Sequence, residues 1–267
     1  MASRCKAMVL AAALALAAGA AEAGPRVASL DQCADQFVLA LAPRLDIAFL
    51  SHRADDADSY LRAAAQGLPR RRATLEAVIS ARPQLVVRNW GGDPQMDRRL
   101  ASRGVQVVRI EDANGFAAVA GNVRRVAAAL RQPAAGEALI ARMQLELLQA
   151  QDAWAGRRAL YLTPGGFTAG DRSLVGSVLR AAGLTPATRG GYAPVSLERL
   201  VADPPDGVVL GFFDTASMGG QRWSVGRRAA VRRLLRGRTI ASLPATILGC
   251  PGWFAADGAR DLAAARP

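Results

Sequence analysis

Thr74-Leu-Glu-Ala-Val-Ile-Ser-Ala-Arg-Pro-Gln-Leu-Val-Val87 passes from a helix into a strand within one short stretch. Thr74 reads as the cap, because its hydroxyl can accept a bond from an orphan backbone N–H of the first turn. Leu75, Val78 and Ile79 then fall on one side at helical spacing, and Leu85-Val-Val87 reads as a strand. The same alternation extends on both sides of this stretch. Arg26-Val-Ala-Ser-Leu30 is a short strand, and Asp31 caps a helix whose apolar face includes Phe37 and Leu41. Ile47-Ala-Phe-Leu50 is a strand, 94–103 a helix, and 105–110 a strand. Such a rhythm predicts parallel pairing with helices on both faces of the sheet.

Beyond it lies a helical stretch over 115–130, a break at Pro133, and a longer helix over 134–154. On that helix Ile140, Met143, Leu147, Ala150 and Trp154 recur at helical spacing. About 20 residues at 1.5 Å each make a rod of roughly 30 Å. The strand–helix rhythm then restarts: strand 159–162, helices 173–182 and 196–202, strand 207–212, helix 227–235, strand 239–241, and a helix from Ala255. The expected fold class is therefore α/β, with two Rossmann-like lobes joined by one long backbone helix and a ligand cleft between them. The expected limits are 24–130 for the first lobe, 131–155 for the linking helix and 156–267 for the second lobe.

Residues 1–23 read differently. Arg4 and Lys6 precede an uncharged apolar run from Ala7 to Ala20, and Ala21-Glu22-Ala23 has the small-x-small form of a cleavage site. The order is that of a secretory signal peptide, and the run is too short to span a bilayer of about 30 Å. About 244 residues remain after cleavage, with a net charge of about +11 against +12 for the whole chain. The basic residues are almost all Arg and are scattered, which argues against nucleic acid. Cys5 leaves with the leader. Cys33 and Cys250 remain as an even pair in an oxidising compartment, where a disulfide or two buried thiols are both open readings.

Chemistry is mostly absent. No Gly-x-Gly-x-x-Gly follows the first strand, and there is no P-loop and no Gly-x-Ser-x-Gly elbow. His52 is the single histidine, and one imidazole cannot build a multi-His metal site. These absences favour binding over catalysis, so no catalytic and no metal-ligating residue is assigned. In open parallel sheets, ligands lie outside the carboxyl ends of the strands. Those ends bring forward 29–31, 51–53 and 88–92 in the first lobe, and 163–167, 213–214 and 249–254 in the second. Aromatic rings concentrate there although aromatics are 5% of the chain, which suits a bulky, flat ligand. Gly-flanked Trp90 and Trp253 read as exposed loop residues. Arg53, Arg88 and Arg222 are placed to pair with ligand carboxylates.

At these loops the chain resembles a family: the periplasmic substrate-binding proteins of the helical-backbone type, which serve ABC importers of cobalamin, haem and ferric siderophores. The resemblance is carried by Arg26-Val-Ala-Ser-Leu-Asp-Gln-Cys-Ala-Asp35, by the segment 74–87, by Trp90-Gly-Gly with Leu100-Ala-Ser-Arg-Gly-Val105, and by Val195-Ser-Leu-Glu-Arg-Leu200 ahead of Pro204-Pro205. It implies a periplasmic, monomeric carrier of a metal chelate with no cofactor of its own, delivering to a permease in the inner membrane. It also implies that Glu76 and Glu198, one per lobe, dock on the permease. Aromatics from both lobes would hold the ligand, the candidates being Tyr60, Trp90, Phe167, Trp223 and Trp253. Three alternatives stand beside it. A secreted α/β hydrolase-like enzyme would need a nucleophile near His52. A free metal-ion binding protein is opposed by the single His. A docking module would carry no cargo.

Overall fold

The computed structural model describes residues 24–216 and 237–267. The leader, Arg222, Trp223 and the helix read over 227–235 lie outside the described residues. In the first lobe, β1 (Val27–Ser29), β2 (Ile47–Ser51), β3 (Arg70–Arg71), β4 (Leu85–Asn89) and β5 (Gln106–Ile110) form one parallel sheet in the order β3-β2-β1-β4-β5. Its helices α1 (Gln32–Leu41), α2 (Leu75–Ala81) and α3 (Pro94–Ala101) start on side-chain caps: Asp31 accepts from Ala34, Thr74 from Ala77 and Asp93 from Gln95. A parallel sheet covered on both faces needs strands that are apolar throughout. Val27, Leu85 and Val87 accordingly enter one core, and Ala28, Phe49 and Val86 the other. On α2, Val78 is fully buried, but Ile79 faces solvent at 43% exposure, so the apolar side of that helix is narrower than the pattern suggests.

Helix α4 (Phe116–Ala129) leads into α5 (Pro133–Ala150), the linking helix, 18 residues and about 27 Å long. Pro133 opens α5 rather than breaking the chain before it; proline suits that position because its missing N–H would be an orphan there anyway. The helix also ends short of Trp154. Asp152 and Ala155 take left-handed backbone angles, and the Trp154 indole N–H donates to the Leu262 carbonyl at 2.7 Å. The tertiary contact captures Trp154 and overrides the helical period.

In the second lobe the elements run β6 (Arg158–Leu162), β7 (Phe167–Ala169), α6 (Leu174–Ala181), β8 (Thr185–Pro186), β9 (Tyr192–Pro194), α7 (Leu197–Ala202), β10 (Gly207–Gly211), α8 (Phe213–Ala216), β11 (Thr239–Leu243), α9 (Ala245–Leu248) and α10 (Ala255–Ala264). The main sheet is parallel in the order β11-β10-β6-β8, and β7 pairs with β9 antiparallel in a separate ribbon. Helix α10 packs on α5 and α6. One apolar core, containing Phe37, Val123, Met143, Leu179, Phe254 and Leu262, therefore runs through both lobes. No helix among the described residues is long and apolar enough to cross a membrane.

Candidate functional site between the lobes

The carboxyl ends of β1 and β2 are tied together by one buried carboxylate. Asp35, fully buried in the first turn of α1, accepts from the Ser29 hydroxyl, from the Ser51 hydroxyl at 2.5 Å and from the Ser51 N–H at 2.8 Å. Burial pushes its pKa up to about 6, against the downward pull of those hydrogen bonds. Asp31 does the same for β4: while capping α1, it also accepts from the Asn89 N–H at 2.6 Å. The loop after β2 is laced to α1, with Gln32 donating to Asp58 and Gln36 to Ser59, both at 2.7 Å. Buried polar groups need such partners, and here they fix the loops that face the second lobe.

Two cavities open between the lobes at these ends. One, of about 230 Å³, is lined by Gln32, Arg53, Asp58 and Tyr60 of the first lobe and by Phe212, Thr246 and Phe254 of the second. The other, of about 180 Å³, is lined by Asn89, Trp90 and Asp112 from one side and by Val175, Tyr192 and Leu248 from the other. Gly249 and Cys250 line both, so they form a ridge between two halves of a single cleft. Each half alone is smaller than the roughly 300–1,000 Å³ of ordinary small-molecule sites. Phe212, on the rim, is held at φ 63°, a left-handed angle that costs a non-glycine residue about 1–3 kcal/mol and clusters at functional sites. A hollow of about 710 Å³ lies elsewhere, along the outer edge of β5, away from the carboxyl ends of the strands.

The structure distributes the sequence-predicted residues unevenly. Trp90 is 54% exposed at the cleft. Phe167 is 50% exposed on the β7–β9 ribbon, paired in register with Pro194. Tyr60 lines the larger cavity, but its ring stacks on Phe254 at 4.4 Å and its hydroxyl donates to Asp257 at 2.6 Å. Burial and that bond to a carboxylate push its pKa up to about 12, so the phenol keeps its proton. Glu76 and Glu198 are exposed in the first turns of α2 and α7. Cys33 and Cys250 are joined by a disulfide with Cα atoms 5.4 Å apart.

Two expected placements are corrected. Trp253 is not an exposed loop residue: it is 4% exposed, edge-on to Phe37 at 5.4 Å and to Phe254 at 5.2 Å. Burying a large ring across the lobe junction outweighs the looseness of its glycine-rich flank. Arg88 does not reach the cleft. It is 4% exposed, ion-paired with Asp97, and donates to the Asp93 carbonyl at 2.8 Å. Burial opposes the Asp97 charge, but Arg88 and Arg109 outweigh it and hold that carboxyl below its usual range. Gly92 belongs to this arrangement, since a Cβ there would fall 0.9 Å from Arg88 Nη2. Sequence reasoning missed Tyr192, 64% exposed on the opposite wall from Trp90. Its signal was present in Gly190-Gly191-Tyr192, the same glycine flank that singled out Trp90.

Two α/β lobes on one helical rod, with a cleft walled from both sides, form the architecture of a binding protein. The chain belongs to the periplasmic binding protein family, whose sequence profile matches residues 27–245. Similar solved structures agree in fold. They include the periplasmic heme-binding protein HutB of Vibrio cholerae (18% identity, TM-score 0.71, 90% of this chain and 97% of that one). The periplasmic vitamin B12-binding protein BtuF of the same organism matches at 17% identity and TM-score 0.67 over 91% and 96%. A periplasmic heme-binding protein from Pseudomonas aeruginosa matches at 25% and 0.65 over 91% and 92%. No protein of curated function matches the sequence significantly. Family membership implies a periplasmic location and a role in binding. Among the described residues no group of three or more His, Cys, Asp or Glu is placed to hold a metal ion.

Proposed function

We propose that this protein is the substrate-binding component of an ABC importer, capturing a bulky metal chelate of the haem, cobalamin or ferric-siderophore class. The observation that carries the reading is the pair of exposed rings, Trp90 and Tyr192, facing one cavity from opposite lobes. Flat aromatic walls give a planar or amphipathic ligand large contact area at small entropic cost. Gln32, Arg53 and Asp58 make the other half of the cleft polar, with Arg53 held by Asp56 and Asp58. Residues 1–23 serve as the export signal. The loaded protein then presents Glu76 and Glu198, one exposed carboxylate per lobe, to arginines of an inner-membrane permease. The protein acts as a monomer.

Titration of the mature protein with haem, cobalamin and ferric chelates, followed by tryptophan fluorescence, tests the reading. Trp90 lines the cleft, so Trp90→Ala should weaken the cargo affinity read from this quenching. No saturable quenching by any of the three classes would refute cargo capture. Docking is separate: Glu76→Gln/Glu198→Gln should keep ligand affinity and lose permease-stimulated transport.

A further inference from the structure

Among the described residues, α7 of the second lobe is only six residues and roughly 9 Å long. A cavity of about 480 Å³ is left between it, β6 and the β7–β9 ribbon, within the usual range for small-molecule sites. It lies apart from the interlobe cleft and shares no lining residue with either of its halves. The floor is apolar, with Leu160 and Leu200 at its base.

The walls hold unused hydrogen-bonding capacity. Thr168, 2% exposed, has its Oγ1 3.4 Å from Thr188 Oγ1, which is 3.3 Å from the Ala169 carbonyl. Both separations are well beyond the 2.7–2.8 Å typical of hydroxyl bonds, and each hydroxyl can make three. At the mouth, Arg158 is engaged with both Asp203 oxygens at 2.9 Å. Arg189 and Arg199 line the same cavity and have no side-chain partner among the described residues. A guanidinium fork matches the geometry of a carboxylate or sulfonate.

We propose that this cavity is a second ligand site, taking an organic anion with an apolar body, the body on Leu160 and Leu200 and the anionic head between Arg189 and Arg199. The full mature chain is titrated with anilinonaphthalenesulfonate, an apolar sulfonate whose fluorescence rises on burial. A saturable site distinct from any binding in the interlobe cleft is expected. Its affinity should fall at least roughly tenfold in Arg189→Ala/Arg199→Ala, the scale of one lost charge-assisted bond. It should be abolished in Ala193→Trp, which fills the cavity from its exposed rim, with the unfolding midpoint unchanged. Tyr192→Ala, in the interlobe cleft, should leave it intact, which separates this site from cargo capture. Equal affinity in the parent and both cavity variants would overturn the proposal, as would loss in Tyr192→Ala alone.

Discussion

Cutting the Cys33–Cys250 disulfide is the most direct test of how the lobes are held. The bridge joins α1 of one lobe to the ridge of the other across 217 residues of sequence. Closing so long a loop removes unfolded-state entropy worth about 5 kcal/mol in the chain-entropy treatment, a large share of the 5–15 kcal/mol typical of a folded domain. The folded state keeps its other ties across the junction: Tyr60 on Asp257, Trp253 on Phe37 and α10 on α5. The loss should therefore appear in the unfolding equilibrium and leave the native fold in place. For a chain of this size it corresponds to a drop of roughly 10–20 °C in Tm. The assay is thermal unfolding by circular dichroism of the oxidised protein, the reduced protein and Cys33→Ser/Cys250→Ser. The reduced and substituted forms should agree with each other and retain the native spectrum at 25 °C. A drop under about 3 °C would refute the reasoning, because it would mean that the unfolded chain is not constrained by the bridge.

Asp35 should give an unusual pH dependence. Its folded pKa of about 6 lies above its ordinary value of 3.8, so the folded chain holds the proton more tightly. The associated stability is full below pH about 4 and is lost as pH rises through about 6, a change of about 3 kcal/mol. Urea unfolding across that window should show the parent losing stability relative to Asp35→Asn; parallel curves would exclude it. Trp253→Ala should cost about 3–5 kcal/mol by emptying the lobe junction. Trp90→Ala should stay within about 0.5 kcal/mol; unfolding midpoints distinguish the two. Arg88→Met should cost about 3 kcal/mol, because Asp97 keeps only Arg109, which is half exposed; a midpoint equal to the parent's would show that the pair is dispensable.

The elements that could be read from the sequence are those whose signals are local. Asp31, Thr74, Ser173 and Ser196 each announce a helix, and each accepts from the backbone N–H three residues on. The buried strands of both lobes announce themselves by apolar runs. Strands β3, β7, β8 and β9 are two or three residues long and mostly polar or exposed, so they lack the apolar run that marks β1. The site was legible as a set of loops but not as a set of side chains. Residues 88–92 read as one ligand-facing loop, whereas Gly92 makes room for Arg88, whose partner Asp97 sits on the following helix. Trp253 looked free because Phe37 is remote in sequence. Which ring faces the cleft and which faces the core depends on pairings that no local window contains.

The placement of residues 250–264 has a consequence for how the chain comes into being. Phe37 and Tyr60 are translated long before the rings that cover them, Trp253 and Phe254. The amino-terminal half cannot seal its interior while it is still nascent. Contacts of such long sequence separation also slow folding. A polypeptide with this wiring leaves those rings uncovered until the segment carrying Trp253 and Phe254 has been made.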